Sequence, residues 1–212
     1  SPYKVSIDFS QQILDYPDEE YLTEENRDFA ELLIGGMDDD DFGFLWGEYY
    51  TIKSQFTVEA SDDSIEARFD YREIEENGLL AAYDAVLPYD LSLWISINGE
   101  NRLVLDQYCV LPDCTCTDTH LSIMIPGEYE DPGEELYFIT LDYRKKKWGK
   151  LEGGTDSVDA KTVRSAVEEI PDLYNLLLHR HMRLRNIYFH CKSRHYTPSP
   201  QAHSPETGRN DP

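Results

Sequence analysis

A change in the spacing of apolar residues divides this chain and limits the folds open to it. Between residues 91 and 143, apolar and polar residues alternate in short runs, the pattern of half-buried β-strands. Residues 91–97 and 102–108 flank Asn98-Gly99, a dipeptide typical of a two-residue hairpin turn. From residue 160 onward the apolar residues recur at helical spacing instead. This order predicts an α+β fold, in which C-terminal helices pack on an antiparallel β-sheet.

Other strands are predicted from the same alternation. A second hairpin is expected where two alternating runs flank the turn Ser61-Asp62-Asp63, over residues 48–60 and 64–72. Further strands are predicted over residues 3–9, 119–125 and 135–143, with a last short strand near Trp148 and Leu151.

Helices are indicated by capping residues and by helical spacing. They are predicted over residues 23–37, 79–87, 160–169 and 172–192, with Asp159 as an N-cap and Pro171 separating the last two. The run Asp38–Asp41 is expected to form a solvated loop, with a calcium site as the alternative. We predict an acidic N-terminal α+β region over 1–90, a sheet with C-terminal helices over 91–196, and a flexible linker over 197–212.

Three of the four cysteines lie within eight residues, as Cys109, Cys114 and Cys116. Pro112 and Asp113 favour a turn between the first two thiols, and an extended chain would point Cys116 to the same side as Cys114. Thiolates converging at ~2.3 Å on a metal form a typical zinc knuckle. The alternative is three buried thiols without a metal. We predict a structural zinc site, because a thiolate-rich site makes zinc a poor Lewis acid.

A fourth ligand is needed to complete a tetrahedral site. His181 is preferred, because it lies on the apolar face of the last helix, where an imidazole can reach inward. The alternatives are Cys191 on the same face, His120, and a water molecule or another group.

Charge is distributed unevenly along the 212 residues, whose net charge is −23. Residues 1–142 contain six Lys/Arg and 34 Asp/Glu, whereas residues 143–212 contain 13 and eight. The acidic part disfavours broad nucleic-acid or anionic-membrane binding. The basic helix still offers RNA or ribosome contact, against the alternatives of a solvated face or pairing with the acidic part. The basic residues of this helix are Arg180, Arg183, Arg185, Lys192 and Arg194, with Tyr188 and His195 interleaved.

Two segments resemble a known family. The final Gly208–Pro212 segment, GRNDP, resembles the opening of the SEC-C motif, a zinc-binding tail named after the C-terminus of the SecA translocation motor. In that motif GRNDP runs directly into the zinc-binding cysteines, none of which this sequence contains. The YCxxPxCxC stretch, followed by Arg180-His181, is similar to a segment upstream of SEC-C in uncharacterised bacterial proteins. The resemblance implies a zinc-containing accessory protein linked to protein export or the ribosome, and supports His181 as a ligand.

No enzyme motif stands out in the sequence. It contains no G-x-S-x-G element, no P-loop and no dinucleotide fingerprint. We therefore expect a cytoplasmic, non-enzymatic interaction or adaptor protein that binds Zn²⁺ and protein partners, without a membrane span. The alternative is a metal-dependent hydrolase or nucleic-acid-processing protein using acidic residues near Asp8 or Asp38–Asp41.

Overall fold

The computed structural model describes residues 6–8, 13–15, 23–127, 133–154 and 158–195. The helices are α1 Glu24–Gly35, α2 Asp39–Glu59, α3 Tyr71–Asn77, α4 Tyr83–Val86, α5 Ala160–Glu168 and α6 Leu173–His195. The strands are β1 Ser6–Asp8, β2 Ile13–Asp15, β3 Ala81–Ala82, β4 Leu93–Ile97, β5 Glu100–Tyr108, β6 Asp118–Ile125, β7 Glu134–Asp142, β8 Lys147–Trp148 and β9 Glu152–Gly153. No helix among the described residues is long and apolar enough to cross a membrane.

The strands from β3 to β9 form one antiparallel sheet. Its main order is β3-β5-β6-β7-β8, with β4 also paired to β5 and β9 also paired to β7. The turn between β4 and β5 has positive φ at both Asn98 (54°) and Gly99 (83°), as the twist of a tight hairpin requires. The predicted α+β class is confirmed, as are the strands predicted between residues 91 and 143.

Helices α5 and α6 cover the sheet and share its core. The face of α6 predicted to be apolar is buried, including Leu177, Leu184 and Tyr188, which are fully enclosed. Leu121 and Ile139 contribute from the sheet. Each such side chain stabilises the fold by roughly 1.5–3 kcal/mol relative to exposure. Asp159 caps α5 through the amide of Thr162, as predicted.

The hairpin predicted over residues 48–60 and 64–72 is wrong, because 48–59 belong to α2 and 64–70 form no strand. The helix begins where a loop was expected: Asp38 accepts from the amide of Asp41, and Asp41 accepts from that of Asp38. This reciprocal capping box stabilises a helix start. The expectation of a solvated loop at Asp38–Asp41 is therefore also wrong.

The hydrophobic core is continuous across residue 90, where two regions were predicted to meet. Ile74, Tyr83 and Leu87 lie in the same core as the central strands and α6, and β3 pairs with β5. The helix expected over 79–87 is shorter, with β3 preceding a four-residue α4. Helix α1 forms where predicted, with the Thr23 hydroxyl accepting from Asn26. Parts of the predicted strand 3–9 and all of the predicted linker 197–212, with its GRNDP segment, lie outside the described residues.

Candidate metal centre

The loop joining β5 to β6 holds the three clustered cysteines. Cys109 directly follows the last residue of β5, and Cys116 lies two residues before β6. The amide of Cys114 donates to the carbonyl oxygen of Leu111 over 3.2 Å, which closes a turn through Pro112 and Asp113. This turn brings Cys114 back toward Cys109.

The three sulfur atoms all lie within 4.8 Å of one another. The Sγ atoms of Cys114 and Cys116 are 2.9 Å apart, and the amide of Cys116 donates to the Cys114 sulfur at 3.4 Å. Three sulfurs around one zinc ion would be about 3.8 Å apart, which lies within the 4.8 Å limit and is longer than the separation of Cys114 and Cys116. The thiols are half-buried. Cys109, Cys114 and Cys116 can therefore bind a metal ion, and they form a cluster between two strands of the sheet.

The three thiols differ in acidity. Hydrogen bonds from the side chain and the amide of Cys116 lower the pKa of Cys114. Burial raises the pKa of Cys109, and it raises that of Cys116 to about 12. Metal ligation requires thiolates, so a bound ion must displace the proton of each protonated thiol, and the lowered pKa makes this easiest at Cys114.

Helix α6 anchors one side of this loop. His181 is buried, and its Nε2 lies 2.6 Å from the carbonyl oxygen of Cys109. Since a carbonyl only accepts, Nε2 carries the hydrogen and donates. One turn later, Arg185 donates to the carbonyl oxygen of Pro112 at 2.5 Å. The loop backbone is thus fixed to the helix at two points, one on each side of Leu111.

The end of β7 anchors the other side of the loop. The hydroxyl of Thr117 donates to Asp142 at 2.8 Å, and the amide of Tyr143 donates to the carbonyl oxygen of Thr117. The amides of Arg144 and Lys145 also donate to Asp142. These contacts place the chain after Cys116 against the sheet. The sequence alone did not identify Tyr143 or Asp142 as supports of the site.

The predicted fourth ligand, His181, lies against the backbone of Cys109 and does not belong to the group of sulfurs. Its second nitrogen, Nδ1, is 2.7 Å from the hydroxyl of Tyr143. Burial lowers the pKa of His181, so the neutral ring donates through Nε2 and accepts through Nδ1. Both ring nitrogens are thus engaged, and the assignment of His181 as a ligand stays a prediction.

The two alternative protein ligands also lie elsewhere. The sulfur of Cys191 contacts the carbonyl oxygen of Ile65 at 3.5 Å, in the core beneath α6. The ring of His120 packs edge-on against Phe138, with centroids 5.2 Å apart. Neither belongs to the group formed by the three clustered thiols.

Basic residues of α6 bind acidic residues within the molecule. Arg180 pairs with Asp106 at 2.7 Å, and Lys192 pairs with Glu75 at 2.5 Å. Arg183 pairs with two carboxylates, those of Asp62 and Asp90. The pairing of the basic helix with the acidic part of the chain, one of the alternatives weighed from sequence, therefore occurs. RNA or ribosome contact through α6 stays a prediction.

Comparisons with known proteins do not extend this description. The resemblance of Gly208–Pro212 to the SEC-C motif stays a prediction, since that segment lies outside the described residues. Searches of the chain against protein-family models, curated proteins and solved structures found no match.

Proposed function

We propose that Cys109, Cys114 and Cys116 bind Zn²⁺ as a structural site in a non-enzymatic interaction protein. The observation that carries this proposal is the convergence of three thiols on a loop fixed both to α6 and to the end of β7. Thiolate ligands suit zinc among the common biological metals. Zinc bound there would hold the β5–β6 loop closed, so its binding free energy would add to the stability of the fold.

The fourth zinc ligand would be His181 or a water molecule. For His181 to ligate, its ring must give up the hydrogen bond to Cys109 or to Tyr143. A water ligand would leave both contacts in place, and His181 would then position Cys109 through its carbonyl oxygen. Three thiolates would reduce the Lewis acidity of the ion in either arrangement, but only His181 would close the site with four protein ligands, as in structural zinc sites. A water ligand would leave the open position that is typical of catalytic zinc.

Metal analysis tests the zinc site. The purified chain should contain one zinc ion, and Cys114→Ser should lose most of it together with part of its thermal stability. Cys191→Ser is the matched control, since Cys191 is a buried cysteine outside the cluster. Equal zinc content in both variants would contradict the proposed site.

An exposed apolar surface on α1 and α2 supports the interaction role. This α1–α2 surface consists of Phe29, Leu32, Leu33 and Phe44, each between 59% and 76% exposed. The same side chains line a groove of about 550 Å³. Large apolar side chains grouped on the surface of a folded protein are typical of binding surfaces.

The negative charge of the segment that carries the α1–α2 surface indicates which kind of partner would bind there. Residues 23–60 contain ten Asp/Glu and two Lys/Arg, a net charge of −8. This strongly disfavours a second copy of the chain, because the same acidic residues would face each other. The complementary occupant is a helix of a partner protein, with apolar residues on one face and Lys or Arg beside them. The SEC-C resemblance adds protein export or ribosome contact as the setting for such a partner.

Binding of a designed peptide tests this surface. A synthetic amphipathic helix with leucines on one face and lysines beside them should bind the full chain in fluorescence anisotropy. The same residues in scrambled order should bind much more weakly. Leu32→Glu should abolish binding, whereas Phe189→Glu, at a 59% exposed residue on α6, should not. Equal binding of both peptides would show charge attraction alone and would contradict a docking surface.

A further inference from the structure

A second cavity, of about 860 Å³, lies apart from the cysteines. It is open to solvent on one side and is lined by α2, by the segment from α4 to β4, and by strands β4 and β5. Pro126, Gly127 and, from α6, Arg180 complete the lining. This volume is within the usual range for sites that bind small molecules. No cysteine lines the cavity, so the proposed zinc site does not explain it.

Aromatic side chains form much of the cavity wall. Trp46 and Tyr50 come from α2, Tyr83 and Tyr89 from the connecting segment, and Trp94 from β4. Tyr50 fixes α2 to the connection, because its hydroxyl donates to the carbonyl oxygen of Asp90 at 3.2 Å. Aromatic faces attract cations through their negative π-surfaces, most strongly in the case of tryptophan.

Two carboxylates of the cavity are already neutralised. Asp106 is paired with Arg180 at 2.7 Å and accepts from Tyr108 at 2.5 Å. Asp90 is paired with Arg183 at 2.8 Å and accepts from Tyr83 at 2.5 Å. Neither arginine is therefore left as a site for an anionic ligand, because each already has a carboxylate partner.

Asp84 is the third carboxylate of the lining, and it has no such partner. Its Oδ1 atom is buried without a hydrogen bond among the described residues. Arg180 acts on Asp84 electrostatically, but its hydrogen bonds go to Asp106 and to the carbonyl oxygen of Leu91. Burial raises the pKa of Asp84 and outweighs the opposing effects of backbone hydrogen bonds at Asp84 and Ala85 and of the Arg180 charge. A buried carboxylate oxygen without a partner is costly, and a ligand that donates a hydrogen bond would remove that cost.

We propose that this cavity binds a small organic ammonium ion with an apolar body, and that Asp84 is its counter-ion. The ammonium group forms an ion pair with the carboxylate of Asp84, while the apolar body lies against Trp46, Tyr50 and Trp94. The net charge of the three lining carboxylates and the two arginines paired with them is −1, which matches a single positive charge on the ligand.

Calorimetric titration of the full chain with phenethylammonium chloride tests the proposal. We expect saturable binding, accompanied by a change in tryptophan fluorescence from Trp46 and Trp94. The neutral analogue 2-phenylethanol should bind at least roughly tenfold more weakly, since it lacks the charge that Asp84 neutralises. Asp84→Asn should weaken phenethylammonium binding by roughly 10- to 100-fold, the usual effect of losing a charged hydrogen bond.

Asp28→Asn is the matched control, because it removes one exposed carboxylate from α1 outside the cavity lining, and it should bind normally. Asp84→Asn should stay folded, since the amide replaces an unpaired charge. If that variant does not fold, Trp94→Leu serves instead, at a 52% exposed position, and should bind several-fold more weakly. Absence of saturable binding, equal binding of the alcohol, or unchanged binding in a folded Asp84→Asn variant would each overturn the proposal.

Discussion

The buried ion pair between Arg180 and Asp106 is a contact whose removal should strongly destabilise the fold. The two side chains are only 5% and 2% exposed, and their N–O distance is 2.7 Å. The guanidinium also lies 4.2 Å from the ring centroid of Tyr83. Substituting Arg180→Met keeps most of the side-chain volume but leaves the Asp106 carboxylate with the hydroxyl of Tyr108 as its remaining side-chain hydrogen bond.

Removing one member of a buried pair costs about 3–5 kcal/mol, because an uncompensated charge remains. Loss of the contact with Tyr83 adds about 1 kcal/mol. For a chain of this length, each kcal/mol shifts the melting temperature by about 2–4 °C, so Arg180→Met should lower it by roughly 8–24 °C. Burial already raises the pKa of Asp106, and loss of Arg180 should raise it further.

Urea unfolding of the two single variants and the double variant measures this coupling, with zinc kept in excess throughout. Adding Asp106→Asn to Arg180→Met removes the orphaned charge, so the double variant should recover about 2 kcal/mol relative to Arg180→Met alone. Strictly additive losses would refute the reasoning. A loss below about 1 kcal/mol for Arg180→Met would refute it as well.

Three further outcomes are expected. The amide of Lys145, helped by its side chain and that of Thr117, lowers the pKa of Asp142 to about 2, from 3.8 when unfolded. The resulting stabilisation is complete above pH 3.8 and is lost as the pH falls toward 2. When the free energy of unfolding is measured over this range, it should fall less steeply with decreasing pH for Asp142→Asn than for the unmodified chain. Gly99→Ala should cost about 1–2 kcal/mol in thermal unfolding, because φ is 83° there. His181→Ala should weaken zinc retention during chelator titration more than His120→Ala does, since His181 holds Cys109; the reverse order would contradict this role.

The sheet could be predicted because its signals are local. Asn98-Gly99 predicts the turn, and the alternation of apolar residues along β4 and β5 predicts which face is buried. Both strands could therefore be predicted without knowledge of distant contacts. The three thiols were also predictable as a group, since one turn through Pro112 brings them together. The role of His181 was harder to predict from the sequence, because its environment depends on Tyr143, 38 residues away.

Helix α2 shows where local patterns fail. Its aromatic and β-branched residues alternate with polar ones, as in a strand, and their intrinsic preference is for strands. The capping box at Asp38 and Asp41 instead starts a helix. Tyr49 and Tyr50 then hold it through hydrogen bonds to Tyr89 and Ser92, about 40 residues later. Such contacts override weak propensities and cannot be inferred from the segment itself.

The position of α6 in the chain has a consequence for how the protein folds during synthesis. Contacts from this helix join residues up to 126 positions apart, as between Arg183 and the carbonyl oxygen of Thr57. Tyr188 reaches Glu75 across 113 positions. The sheet and the acidic segments leave the ribosome first, with the apolar face of the sheet still uncovered. Long-range closure of this kind slows folding and prolongs exposure to aggregation. Emergence of α6 is therefore the event that allows the nascent chain to close its core.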